Sequence, residues 1–561
     1  MRALALASVL VLLHIFSVSG APFIVKRYRK TQLEDQNYWN NLAQAELLRA
    51  LGVEKNTNVA KNVILFLGDG MSIPTLTAAR IYKGQQHKRG GEEGHLAFEA
   101  FRHMGLSKTY NVDKQVPDSA GTGTAYLTGV KTNYKTIGFD ASIKYNDCQT
   151  MFENNKVYSI AKWAQDAGKR TGIVTSTRVT HATPASTYAH VANRDWECDG
   201  SITSEDMEKC PELKDIARQL VEEDPGFSLN VIMGGGYQNF DTNATDRPND
   251  PLDNQWASCR RKDGRNLVSD WLKRKHDSGV NHQFIRSKTE MDDVDSSSIE
   301  YLLALFSNGH MPYEHEKKSL GLDVPTLAQM TEKAINILSA GDKGFFLLVE
   351  GGRIDHAHHD TLAHRALDEA VAMDEAVEKA LSLTNEEDTM IVVTADHAHT
   401  MSISGYPNRG QEIIGLAAMG DDGLPYTTLM YANGPGYNYT VKEDEEEYQV
   451  SRWNITQEVA TGWDYTQLAA VPRDSETHGG DDVAIYANGP MAHLFHTLHE
   501  QNYIAHAMAY AACIGANKDH CKDEPTTLTT MGIETTTAGG STVASLPGVV
   551  VALLSALWLR H

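Results

Sequence analysis

Phe345-Phe346-Leu347-Leu348-Val349-Glu350-Gly351-Gly352-Arg353-Ile354-Asp355-His356-Ala357-His358-His359 is the stretch from which the fold is read. Five apolar residues with no polar alternation predict a strand buried on both faces, as in a parallel sheet. The chain then turns abruptly to glycine, carboxylates and histidines.

The same grammar recurs. Val63-Ile64-Leu65-Phe66-Leu67 leads to Gly68-Asp69-Gly70, and Thr171-Gly172-Ile173-Val174-Thr175 precedes the stretch with His181 and Thr183. Ile391-Val392-Val393-Thr394 leads to Ala395-Asp396-His397-Ala398-His399. Helical spacing intervenes, as in Asp360 to Leu381, where Leu367, Ala370, Val371, Val377 and Leu381 recur near the helical period. Strands alternating with helices predict an α/β fold: a doubly wound, mostly parallel central sheet flanked by helices. Ligands of such sheets bind outside the carboxyl ends of the strands. Each turn delivers its polar residues at that end, so Asp69, Glu350, Asp355, Asp396 and several histidines are expected in one crevice.

Carboxylates crowded together raise one another's pKa and cannot all ionise unpaired. Divalent cations remove the conflict: mixed Asp/His ligation suits zinc and all-oxygen ligation suits magnesium. One Asp-His pair after a strand is more often a cap than a ligand. Four such turns in one chain, two of them dense in histidine, predict a multi-metal site.

Asp118-Ser119-Ala120-Gly121-Thr122-Gly123-Thr124-Ala125 supplies a candidate nucleophile. Ser119 precedes small residues able to open a helix, which would set its oxygen beside unpaired backbone N–H groups and the positive end of the dipole. Taken alone, the stretch reads slightly more readily as an ordinary helix cap. It is not the G-x-S-x-G elbow, and no phosphate-binding P-loop occurs in the chain. A serine among metals favours phosphoryl over acyl transfer.

The 561 residues are 41% hydrophobic and 8% aromatic, ordinary for a folded protein, and the net charge of −22 argues against a nucleic-acid-binding role. Arg2, the apolar run Ala3 to Phe16 and Val18-Ser19-Gly20 read as a signal peptide over 1–20. A domain over 21–525 follows. The Thr/Gly/Ser-rich spacer and the apolar Val549 to Trp558 within 526–561 read as a GPI-anchor signal, placing the mature chain on the extracellular face of the plasma membrane. Six cysteines suit that compartment. Cys513 and Cys521 can close a short loop, whereas Cys148, Cys198, Cys210 and Cys259 leave three pairings open. Asn243, Asn438 and Asn454 begin glycosylation sequons and are expected on exposed loops.

Leu67-Gly68-Asp69-Gly70-Met71, Asp118-Ser119-Ala120, Thr180-His181-Ala182-Thr183-Pro184, Val349 to His356, Thr394-Ala395-Asp396-His397 and Glu476-Thr477-His478 resemble the motifs of the alkaline phosphatases, in that family's order, from about Asn37 to Cys521. The resemblance is to the animal, membrane-anchored branch. It implies hydrolysis of a broad range of phosphate monoesters through a phosphoserine at Ser119, with two zinc ions and one magnesium ion per subunit and a homodimeric assembly. Asp355, His359 and His478 would hold one zinc; Asp396, His397 and Asp69 the other, which also binds Ser119; Asp69, Thr183 and Glu350 the magnesium. Arg194 matches the arginine that clamps phosphate, a task a bidentate guanidinium suits. Asp118 is expected to orient Arg194, His181 to lie beside the substrate, and His399 to support Asp355. The resemblance also pairs Cys148 with Cys210 and Cys513 with Cys521, leaving Cys198 and Cys259 as a third bridge.

Three departures stand out. Thr183 replaces a serine but keeps the hydroxyl. The calcium-like site of many animal members has Ser307 at a carboxylate position, so with Asp323 alone that fourth site is expected to be weak or absent. Residues 405–473, with the acidic run Glu443 to Glu447, are the most divergent and correspond to the small crown insertion. Rival readings are a related phosphodiesterase or sulfatase, although the sulfatase nucleophile motif is missing, and a surface-anchored binding protein with a dead site.

Overall fold

The apolar runs form the strands expected of them. β1 (Asn62–Gly68), β2 (His103–Lys108), β3 (Arg170–Arg178), β4 (Val231–Gly235), β5 (His282–Ile285), β6 (Tyr301–Leu305), β7 (Phe345–Gly351), β8 (Thr389–Ala395), β9 (Val483–Asn488) and β10 (Thr497–Glu500) make one sheet, ordered β10-β2-β9-β8-β1-β7-β3-β4-β6-β5. Neighbours are parallel except where β9 runs against β2 and β8. The computed structural model describes residues 33–254, 258–443 and 448–521. The expected signal peptide, the spacer and anchor signal, and most of the acidic run lie outside the described residues.

Alternate residues of β1 enter two cores. Ile64 and Phe66 pack with Val174, Leu347, Val349, Ile391 and Val393, whereas Val63, Leu65 and Leu67 pack with Ile173, Phe346, Leu348 and Val392. Helices close both faces. α1 (Ser119–Thr128) adds Ala120, Tyr126 and Leu127 to the second core; α2 (Leu327–Leu338) adds Met330, Ile335 and Leu338 to the first. Each fully buried Val, Leu, Ile or Phe contributes roughly 1.5–3 kcal/mol, which is why these runs carry no polar alternation.

The register places the site. Gly68 at the end of β1 stands level with Gly351 of β7 and Ala395 of β8, and Thr175 of β3 stands level with Glu350. Asp69 and Asp396 therefore emerge side by side at the carboxyl end of the sheet, next to Glu350.

The helix expected over Asp360 to Leu381 begins later and is preceded by a separate one. α3 (Arg353–His359) ends at a turn in which Thr361 has φ 54°, and α4 (Ala363–Leu383) follows. The left-handed turn lets Thr361 N–H bond His358 O while its own carbonyl accepts from Gln467 N–H. The break leaves Asp355 and His359 four residues apart on a helix of their own, on one face.

Within 405–473 the chain forms small sheets: Leu416–Met419 with Pro425–Thr427, Tyr439–Glu443 with Tyr448–Arg452, and Leu429–Gly434 between Met401–Ile403 and Ala469–Pro472. Disulfides join Cys148 to Cys210, Cys198 to Cys259 and Cys513 to Cys521. One expectation fails at the sequons. Asn243 and Asn454 are exposed, but Asn438 is only 8% exposed, and its Nδ2 donates to Thr466 O. Its side-chain nitrogen is occupied inside the fold because the preceding Gly436 backbone lies against Gln467.

Candidate active site

Asp355 and His359 on α3 meet His478, which arrives in the short strand His478–Gly479 paired with Ala398–His399. Each histidine is oriented from behind: His359 Nδ1 donates to Glu476 O (2.6 Å) and His478 Nδ1 to Pro117 O (2.8 Å). Both Nε2 lone pairs then point at one spot, 3.1 Å apart and each 3.4 Å from Asp355 Oδ1. Three acceptors facing one another without a hydrogen fit a cation: ligands about 2.0–2.1 Å from a tetrahedral zinc lie about 3.3 Å apart. His399 sits against this group yet differs from it, since both of its nitrogens donate, Nε2 to Asp355 Oδ1 (2.7 Å) and Nδ1 to Glu476 Oε2 (2.5 Å). Against the cost of burial, those two carboxylates push its pKa up to about 10. Through that Nε2 bond it braces the Asp355 carboxylate.

A second group surrounds His397. Its Nε2 lies 3.2 Å from Asp396 Oδ2, 3.5 Å from Asp69 Oδ1 and 3.2 Å from Ser119 Oγ. Gly70 N–H holds the other Asp396 oxygen at 2.9 Å. Gly70 has φ +64°, and a Cβ there would fall 2.3 Å from the His399 ring, so only glycine serves. Both Asp69 oxygens are buried without a hydrogen-bond partner. Burial first, then Asp396, Asp355 and Glu350, push the Asp69 pKa well up. A cation relieves that conflict.

The third group is oxygen-rich. Glu350 Oε2 accepts from the hydroxyls of Thr175 and Thr177, whereas Glu350 Oε1 and Thr183 Oγ1 are buried without a hydrogen-bond partner. Burial above all raises the Glu350 pKa to about 7. With Asp69, these oxygens suit a hard ion such as magnesium.

Ser119 opens α1, but the expected unpaired N–H groups beside it are taken. Asp118 is the cap, accepting from Ala120 N–H and Gly121 N–H at 3.3 Å each. Asp118 Oδ2 also accepts from Arg194 Nη1 (3.1 Å), and Oδ1 from Lys135 N–H and Asn111 Nδ2. The end of α1 is therefore capped and not bare, and the cationic group held next to it is Arg194. Arg194 Nη2 donates to His181 Nε2 (3.0 Å), and burial followed by Arg194 holds the His181 pKa well down, leaving a neutral ring.

Two residues escaped the sequence reading. His310 packs on His181 and His356 and lies 2.6 Å from Arg178 Nη1, while Arg178 pairs with Glu197. It follows β6 in the same strand-then-turn pattern and could have been found from it. Glu476 was quoted as part of a motif without a role. Of the supposed calcium-like site, Ser307 Oγ donates to Gly309 O, and Asp323 accepts from Thr289 N–H and hydroxyl.

The alkaline phosphatase family model matches residues 60–514. The tissue-nonspecific alkaline phosphatase of Rattus norvegicus is 49% identical over 492 residues, covering 87% of this chain and 90% of that protein. The alkaline phosphatase of Gadus morhua is 47% identical, covering 87% and 99%. Among solved structures, the alkaline phosphatase of the Antarctic bacterium TAB5 superposes with a TM-score of 0.54 at 21% identity, covering 82% of this chain and all of that one. That of Thermus thermophilus gives 0.55 at 23%, covering 82% and 92%. These two establish the fold.

Proposed function

The chain belongs to the alkaline phosphatase family, whose activity is the hydrolysis of phosphate monoesters, and on that premise we propose that it acts through a phosphoserine at Ser119 in a centre of two zinc ions and one magnesium ion. The observation that carries this reading is the placement of Ser119 Oγ within 3.2 Å of His397 Nε2, with Arg194 held beside it by the same Asp118 that caps the serine's helix. Asp355, His359 and His478 would hold one zinc, Asp396, His397 and Asp69 the second, and Asp69, Thr183 and Glu350 the magnesium. Ions so held would supply Lewis acidity toward the serine hydroxyl, the leaving oxygen and water.

Ser119 Oγ forms a bond to phosphorus as the ester P–O bond breaks and the alcohol departs. Water then attacks the phosphoserine, the Ser119 O–P bond breaks, and inorganic phosphate leaves. Arg194 binds two phosphate oxygens throughout and stabilises charge developing on them. His181, kept neutral, fixes the guanidinium without adding charge. No protein group contacts the leaving alcohol in this scheme, which favours broad monoester specificity.

We also read the mature chain as a GPI-anchored homodimer on the extracellular face. Three disulfides and the exposed Asn243 and Asn454 support the compartment. No described helix is long and apolar enough to cross a membrane. The helix Gln36–Leu51 buries none of its residues and leaves Trp39, Leu42, Leu47 and Leu48 exposed, a surface suited to a second copy.

The test is metal analysis of the purified protein, with hydrolysis of a monoester, a diester and a sulfate ester before and after chelation. Two zincs and one magnesium per chain and a monoester activity lost with them are expected. Faster cleavage of the diester or the sulfate ester, or activity without metal, would overturn the reading.

A further inference from the structure

Asp355 and His359 come from one short helix, and His478 comes from a segment far along the chain. Three ligands from two sources keep a common focus only if something cross-ties them. We propose that Glu476 is that tie: a positioning residue that fixes all three ligands of the Asp355–His359–His478 group. The proposal rests on the reading of that group as a metal site.

The tie has two parts. The backbone of Glu476 bonds His359 in both directions, N–H to His359 O (2.8 Å) and carbonyl from His359 Nδ1 (2.6 Å). This clamps the last residue of α3 to the strand that delivers His478 two positions later, and it fixes which nitrogen of His359 is free to ligate. The carboxylate forms the second part. It is 2% exposed and accepts from His399 Nδ1 (2.5 Å), from Thr400 N–H (2.7 Å) and from the Thr400 hydroxyl. His399 passes the restraint on through Nε2 to Asp355 Oδ1 (2.7 Å). Space is reserved for the side chain at Gly434 (φ +134°), where an added Cβ would come within 3.0 Å of Glu476 Cβ.

A carboxylate is required here for a reason of hydrogen count. Every donor facing Glu476 is an N–H or an O–H: His399 Nδ1 bonds one carboxylate oxygen, and the Thr400 N–H and hydroxyl bond the other. An amide at 476 would turn its NH2 toward either Thr400 or His399, donor against donor. The His399 Nδ1 bond would be lost or weakened, and with it the restraint that the ring passes on to Asp355 Oδ1.

The experiment follows release of each metal equivalent from the intact holoprotein to a chromogenic chelator. In Glu476→Gln one equivalent should leave 10–100-fold more readily, while the other two keep wild-type behaviour. Near-UV circular dichroism of the metal-free forms should coincide. Thr400→Val removes one bond to the carboxylate but no charge, and should loosen the same equivalent by less; it carries the test if Glu476→Gln does not fold. In the double variant with His399→Ala, Glu476→Gln should add nothing further, because the side chain acts through that ring. Unchanged release, or equal loosening of all equivalents, would overturn the proposal. A wild-type protein without bound metal would instead remove the metal reading on which it stands.

Discussion

His359 Nε2 and His478 Nε2 face each other at 3.1 Å, although each ring has already given its one hydrogen to a backbone carbonyl. Two lone pairs at that distance repel unless a cation lies between them, so the fold is drawn for an occupied centre.

Ser119→Ala should abolish the phosphoenzyme and lower kcat by about 10³-fold or more. Bound metal should be unchanged, because Asp69, Asp396 and His397 remain. Rapid quench with labelled substrate checks it; a labelled phosphoenzyme in the variant would refute the assignment.

Asp118→Ala removes two things at once, the cap of α1 and the partner of Arg194. The cap should cost about 1 kcal/mol of stability, and the freed guanidinium should raise KM for a monoester and weaken inhibition by phosphate. Arg194→Ala should reproduce the KM effect without the loss of stability, and Arg194→Lys should restore it only in part. Denaturation and steady-state kinetics on the three variants decide; a wild-type KM in Arg194→Ala would sink the clamp.

Glu350 has a pKa raised from 4.5 to about 7, chiefly by burial. In the metal-free protein the folded state therefore keeps a proton that the unfolded chain has lost. Its contribution to stability is fully present below pH 4.5 and disappears as pH rises through about 7. Melting of chelated protein should show this decline, Glu350→Gln should flatten it, and magnesium should offset it above pH 7. An unchanged slope in Glu350→Gln would count against the assignment.

Replacing Cys198 and Cys259 by serine opens a loop spanning 61 positions and should cost about 2–5 kcal/mol, read as a lower guanidinium midpoint. Glycopeptide mapping should find sugar at Asn243 and Asn454 and none at Asn438. A modified Asn438 would contradict its burial.

The strands of the sheet were legible because burial on both faces leaves uninterrupted runs such as Val63 to Leu67, which no amphipathic helix would tolerate. The candidate ligand residues were legible for a related reason: Asp69, Glu350 and Asp396 follow such runs directly, and the parallel register brings them together. What escaped depends on contacts between distant segments. Nothing local to Thr361 announces a left-handed turn; its carbonyl meets Gln467. Asp118 and Ser119 are both residue types that cap helices, so adjacency alone does not say which of them bonds the first N–H groups, and Glu476 gains its contacts only from His399 and His359. Asn438 looks like any sequon until Thr466 is placed beside it.

β1 lies at the middle of the sheet, and Val63 pairs with Phe346 on one side and with Met390 on the other. During synthesis the first of these strands must therefore wait for partners that leave the ribosome hundreds of residues later, with Asp69 the first of the candidate ligands made and His478 the last. Nascent chains of this kind expose apolar strand edges for a long interval. The candidate group of Asp69, Thr183 and Glu350 is complete once Glu350 has emerged, but that of Asp355, His359 and His478 waits for His478, near the end of the folded domain. Yield in a cell should therefore depend on chaperone supply during that interval.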